Sequence, residues 1–285
     1  MPFSLKTLVV LRLGLLFLFS LEGQDIYQLA ENMACAGLYE QASTEYLRFI
    51  FFNPKSDFLS RAYLKLAYCA LHLKDFAKAE KYLKLAQENA KSEEEKIDLL
   101  FKQLVFYLGR DRLTDTKYIL TKLEGLCLKE ENDQQKLFFK ALLEVLEFDF
   151  EEAFRLFKLY FSQTEVFPNS TEEAVIEILT QASNAKPKDP GWAIFFSLIL
   201  PGLGQVYAEK PGEGLLSFLV TGSAATLVIY TLLNGDYLNA LMAGLFVFLR
   251  FYEGSLYYAE RYVSEYNYLQ AKTWQEKILQ LLRQK

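Results

Sequence analysis

The feature that most narrows the fold is a spacing. Small residues at Ala42, Ala79, Thr116 and Ala153 recur every 37 residues. Large ones stand three positions earlier (Tyr39, Phe76, Leu113, Phe150) and four later (Tyr46, Leu83, Leu120, Phe157), and Ala30, Ala67, Leu104 and Ala141 occupy the position twelve before. Residues three and four apart share one face of an α-helix. Each period therefore holds two helices whose small residues let the backbones approach and whose large residues fill the seam. Successive pairs bury faces that none could bury alone, which makes a stacked array. Composition agrees: the chain is 52% hydrophobic with 14 Gly and 7 Pro in 285 residues, too apolar for a disordered or low-complexity chain. The expected class is all-α.

This arrangement resembles the tetratricopeptide repeat, in which a first helix carries a small residue near its middle and a second opens with Gly-x-Tyr-x-x-Ala. Gly37-Leu38-Tyr39-Glu40-Gln41-Ala42 is the best copy, with Pro54 closing the repeat. The resemblance covers about residues 23–165. The period is 37 against 34 in the family, and the extra residues are expected in the polar stretches after each second helix, 53–57, 91–96 and 129–133. The third unit departs furthest, with Thr116 in the small position. A last helix over about 171–182, after Pro168-Asn169-Ser170, is expected to cover the end of the stack.

By the family pattern the concave wall is built from first helices and includes Tyr27, Glu31, Arg61, Leu64, Tyr68, His72, Phe101, Val105, Phe138 and Leu142. The partner groove expected from the resemblance is Tyr27, Arg61, Tyr68, His72, Phe101 and Phe138. It is aromatic and sparsely charged, so it suits an apolar peptide or helix of a protein partner, or one of the chain's own helices, better than a chain-terminal carboxylate. His72 is the only histidine, and no Ser, Cys or carboxylate stands at a spacing that would orient it as a base. Cys35 and Cys69 lie on neighbouring first helices and are either a pair or small buried thiols. With Cys127 they make three cysteines, too few for a disulfide framework or a zinc site. No metal and no cofactor is expected.

The N-terminus has the form of an address. Lys6 and Arg12 precede the apolar run Leu13 to Leu21, which is followed by polar residues, so residues 1–23 are expected to be a signal peptide. Residues 24–183 would then form the repeat domain and 184–190, with Pro187 and Pro190, a linker. Charge changes at this boundary. Residues 24–189 hold 22 basic and 28 acidic side chains, whereas 190–285 hold 7 of each. No dense basic stripe is present, so no nucleic-acid partner is expected.

Residues 190–208, 214–235 and 237–249 contain no charged side chain. They are expected to give three membrane segments within 191–260, the first of them kinked or re-entrant at Pro201-Gly202-Leu203-Gly204. Gly214, Gly222, Ser223, Ala224 and Ala225 offer the second segment a small-residue face. The run Pro201, Gly202, Leu203, Gly204, Gln205, Val206, Tyr207 resembles a Pro-Gly-x-Gly-Gln-x-Tyr motif of small bacterial membrane domains whose function is poorly defined, over about residues 188–267. Arg250 and Glu253 stand three apart, where they can pair, either inside a helix cluster with Gln205 and Tyr207 or at the interface among tyrosines. Residues 261–285 are expected to be a basic amphipathic tail lying on the cytoplasmic leaflet.

Function follows from architecture alone. The expectation is a non-enzymatic scaffold or adaptor of the bacterial cell envelope, held in the cytoplasmic membrane with its repeats outside. It would bind a protein partner and lipid, with homo- or hetero-oligomers in the membrane, in envelope assembly or protein transport. The alternative is an accessory subunit of an oligomeric transporter or channel, with Gln205, Arg250 and Glu253 along a polar path.

Overall fold

A computed structural model describes residues 23–126 and 129–283 of the chain. The expected signal peptide and Cys127 lie outside the described residues, apart from Gly23. The described residues are all-α and repeat-like, with no strand among them, and they divide into two compact units, one up to Lys129 and one from Glu130.

The first unit is three helix pairs: α1 (Gly23–Cys35) with α2 (Tyr39–Phe52), α3 (Leu59–His72) with α4 (Phe76–Glu88), and α5 (Glu93–Leu108) with α6 (Leu113–Glu124). The small positions are the core: Ala30, Ala42, Ala67, Ala79 and Leu104 have no exposed surface, and neither does Thr116. Thr116 is tolerated there because its hydroxyl donates to the Arg112 carbonyl at 3.1 Å, leaving only its methyl to pack. Neighbouring pairs are tied by ion pairs, Lys65 to Glu31 at 2.9 Å and Arg112 to Glu80.

Each pair closes through one kind of turn. Gly37, Lys74, Asp111 and Phe148 all take the left-handed conformation, with φ of 78°, 60°, 56° and 65°. The next amide donates five residues back, Leu38 to Met33, Asp75 to Ala70, Arg112 to Tyr107 and Asp149 to Glu144, at 2.9 to 3.0 Å. This closure satisfies the carbonyls left over at the first helix and aims the chain straight into the second. Asp75 and Asp149 then cap the second helices by accepting from the amides of Lys78 and Glu152 at 3.1 and 3.0 Å.

The extra residues of the period do not all fall in loops. Ser92 accepts from the Glu95 amide at 3.1 Å, and Glu93, Glu94 and Glu95 fill the first turn of α5. A capped, acidic first turn favours helix, so 93–96 lengthen the first helix instead. Residues 130–133 do the same in the fourth pair, α7 (Glu130–Leu146) with α8 (Phe150–Gln163).

That pair belongs to the second unit, with α9 (Asn169–Asn184), α10 (Pro190–Ile199), α11 (Leu203–Tyr207), α12 (Pro211–Leu233), α13 (Tyr237–Ala243), a π-helical segment (Gly244–Phe248) and α14 (Leu249–Arg283). From Tyr237 to Arg283 the chain is one helical rod, about 70 Å long at 1.5 Å per residue. Its beginning runs back along α12 through the turn at Gly235 (φ 73°), where the Asp236 amide donates to Thr231 at 3.0 Å. Its end has another role. Ile278 is fully buried in one core with Ala141, Val145, Phe157 and Leu179, and Trp274, Leu281 and Leu282 pack against the same core. Gln275 donates to the carbonyls of Val145 and Leu146 at the end of α7, at 3.3 and 3.2 Å. Of the apolar side chains of residues 261–283, Trp274, Ile278, Leu281 and Leu282 are thus packed on protein, whereas Leu269 is 49% exposed.

Candidate functional site

Two places collect the residues singled out by the sequence. In the first unit Tyr27 packs edge-on to Tyr46 and Phe49, with ring centroids 5.6 and 5.3 Å apart, and Arg61 lies 5.7 Å over the Phe58 ring. Tyr27 and Arg61 share a shallow pocket of about 520 Å³ with Lys65, Glu94, Glu95 and Asp98. This wall is more charged than the expected groove, because the first turn of α5 brings its carboxylates there. Tyr68 is exposed and His72 stacks on Tyr39 at 4.1 Å. Phe101 is buried and unable to serve as wall, and Phe138 sits in the second unit against Phe157, Tyr160 and Phe167. Of the six expected groove residues, Phe101 is thus covered within the first unit and Phe138 belongs to the second.

Glu31 is consumed by structure. The Tyr46 hydroxyl donates to one of its oxygens at 2.6 Å and the Lys65 ammonium to the other at 2.9 Å. Burial works against ionising Glu31, yet these donors outweigh it and hold the carboxyl below the ordinary carboxylate range. Burial, and then the nearby Glu31 charge, push the Tyr27 phenol up to about 12. Cys35 is an exposed free thiol and Cys69 a buried one. Among the described residues no three His, Cys, Asp or Glu side chains converge as metal ligands would.

In the second unit the glycine motif is a knot where α10, α11, α12 and α14 meet. Gly202 has a φ of 99°, and a Cβ on it would stand 2.1 Å from the Gly214 carbonyl oxygen. On Gly204 a Cβ would stand 2.2 Å from the Ala193 oxygen and 2.6 Å from the Ala259 methyl. Glycine is required at both because backbone touches backbone. The small-residue face of α12 divides accordingly: Gly214 is packed at this knot, whereas Gly222 has nothing within 4 Å. Helices that meet so closely leave amide groups to satisfy, and serines do it. The Gly204 amide donates to the Ser197 hydroxyl at 3.0 Å and the Gly202 amide to that of Ser255 at 3.1 Å. Gln205, 1% exposed, donates to the Ser255 carbonyl at 3.0 Å and accepts from Ser197 at 3.3 Å. Its partners are all used within the fold, so Gln205 is a structural cross-link.

Pro201 opens the turn and Tyr207 closes it. The Tyr207 ring meets Phe196 edge-on at 5.5 Å and its carbonyl accepts from the Lys188 ammonium at 2.9 Å. Lys188 also binds Glu209 at 2.8 Å, and its backbone exchanges two hydrogen bonds with the Asn267 side chain, at 2.9 and 2.8 Å. The stretch expected as a linker is thereby pinned to α14. Sequence reasoning missed Ser197, Ser217, Ser255 and Asn267. Serines inside charge-free runs were the available signal for Ser197 and Ser217, whereas Ser255 lies beyond those runs.

Arg250 and Glu253 do not pair with each other. Arg250 stands at the edge of a cleft of about 610 Å³ between α12 and α14, lined also by Gln205, Glu213, Ser217, Phe251 and Tyr258, and Glu253 is not part of that wall. No protein-family model matches this chain, and no curated protein or solved structure is significantly similar to it.

Proposed function

We propose that the chain is a membrane-anchored, non-enzymatic scaffold of the bacterial cell envelope, in which an apolar helical hairpin sits in the bilayer and a tetratricopeptide-like array presents a surface to a protein partner. The observation that carries this reading is bare apolar surface. Helix α12 is 23 residues long and apolar enough to cross a membrane, yet only 11% of its apolar window is buried. Leu215, Leu219, Ile229 and Leu233, with Leu238, Leu241, Leu245 and Phe246 on the returning rod, are each at least half exposed. An apolar patch of this size marks a surface covered by a membrane or by another protein.

Two crossings suit the geometry better than the three expected from sequence. Helix α10 has 10 residues, about 15 Å of rise, half of what a bilayer core requires. It ends at the glycine knot and turns back, as a re-entrant or interfacial element does. The hairpin of α12 and the rod then enters and returns on one side. The packing of Ile278 among α7, α8 and α9 supports this, because helices that share a core share a side of the membrane. The leader-like first residues support a placement of that side outside the cytoplasm. The test is alkaline extraction of membranes followed by thiol labelling of Lys74→Cys and Asn234→Cys in a background lacking the native cysteines. The chain should resist extraction, with position 74 labelled once the outer barrier is opened and position 234 protected. Labelling of 234 but not 74 would reverse the orientation, and labelling of both would sink the hairpin. Partner capture should depend on Arg61 and Tyr68, which are exposed, and not on Phe101.

A second reading, accessory to an oligomeric transporter or channel, is favoured by the polar side chains Glu213, Ser217, Thr221 and Arg250 in an otherwise mostly apolar cleft. It predicts loss of solute flux in Arg250→Ala with assembly intact.

A further inference from the structure

We propose that the outward face of the helical rod at Arg250 and Glu253 is an interface between two copies of this chain, in which Arg250 of each copy pairs with Glu253 of the other. The proposal rests on the membrane reading above. Phe246, Leu249, Arg250, Glu253 and Tyr257 follow one another at spacings of three and four, which places them on one stripe of the helix. All five are exposed, Phe246 at 64% and Tyr257 at 59%. Phe246, Leu249, Glu253 and Tyr257 lie off the cleft between α12 and α14, and Arg250 stands at its edge beside Phe251, Gly254, Ser255 and Tyr258. Arg250 and Glu253 have no hydrogen bond or ion pair with any described residue, although their spacing would let them reach each other. Both lie within the apolar part of the hairpin.

An unpaired cation and an unpaired carboxylate against hydrocarbon are each costly, and such groups pair with an opposite charge. A twofold interface offers the same stripe from both sides, so a cation and an anion three residues apart meet their opposites twice by symmetry. Phe246, Leu249 and Tyr257 flank the charges with apolar contact area that lipid tails cover without specificity. A lipid headgroup could answer Arg250 but not Glu253. A second copy answers both, and its concentration always equals that of the first.

The experiment uses the full chain carrying two different affinity tags, co-expressed and purified from membranes in mild detergent, with recovery of one tag through the other as the readout. The wild-type chain should recover its twin. Arg250→Glu and Glu253→Arg should each lose self-recovery by roughly tenfold or more, because each then presents two like charges to its own copy. Mixing the two variants should restore recovery to within about twofold of wild type, since the acidic stripe then meets the basic one. Restoration also shows that both variants fold. A wild-type chain that does not recover its twin overturns the proposal, as does a single reversal that associates normally or a mixture that fails to restore. A chain absent from the membrane fraction would instead remove the membrane reading, and self-recovery is scored separately from that fractionation.

Discussion

Glu31 shows how a residue that looks available for a partner is already spent. Its carboxylate accepts hydrogen bonds from Tyr46 and Lys65, so Glu31→Gln should cost about 1 to 2 kcal/mol of stability at neutral pH, measured by thermal unfolding. The pH dependence has a definite sign. A carboxyl whose folded value is depressed contributes its stability above the unfolded value and loses it as pH falls through the folded one. The gap between wild type and Glu31→Gln should therefore be full at pH 7 and close below about pH 4. The turn residues make a second case. Lys74 holds a left-handed φ of 60°, which a glycine adopts without strain, so Lys74→Gly should stabilise by up to about 1 kcal/mol. Gly204→Ala should destabilise by about 2 to 3 kcal/mol, because its Cβ would meet the Ala193 carbonyl at 2.2 Å. Gly222→Ala, with nothing within 4 Å, should be neutral or mildly stabilising. The motif glycines were legible in the sequence. That one faces a carbonyl and another faces nothing was not, because a glycine needed for a close approach and one merely tolerated are written with the same letter.

At the scale of elements, the end of α14 is the clearest lesson. A helix with one apolar face can lie on lipid or on protein, and its sequence periodicity is identical in the two cases. Here Ile278 is fully buried beside Val145, Leu179 and Phe157, so Ile278→Ala should cost about 2 to 5 kcal/mol in the unfolding of the second unit. An amphipathic anchor would show no such loss and would instead weaken lipid binding. The first helices α5 and α7 run longer than their polar sequences suggest for a related reason. Polar stretches such as 93–96 suit either a loop or an acidic, capped first turn, and Ser92 decides for helix by accepting from Glu95.

For the whole molecule, the sequence divides the chain by charge and the fold divides it by contact. The fall in charge near Pro190 is real, but the packing boundary lies between Lys129 and Glu130, because the fourth helix pair shares its core with the end of the rod. Removing residues 271–285 should therefore unfold the α7–α9 core while leaving the first unit intact. Limited proteolysis should show this as loss of protection confined to residues beyond 129. An intact α7–α9 region after that truncation would contradict the assignment of Trp274 and Ile278 to its core.

The sequence by itself determined the helical class, the 37-residue period, the small and large residues of every seam and the three charge-free runs, because these depend on side-chain volume and polarity at fixed spacing along one chain. The tertiary structure alone decided the left-handed turns at Lys74, Asp111 and Phe148, the serines that satisfy the glycine knot, the separation of Arg250 from Glu253 and the partner of the C-terminal helix. Each of these depends on which distant segment arrives against a given face, and the energy of that arrival is shared between residues too far apart in the sequence to leave a local pattern.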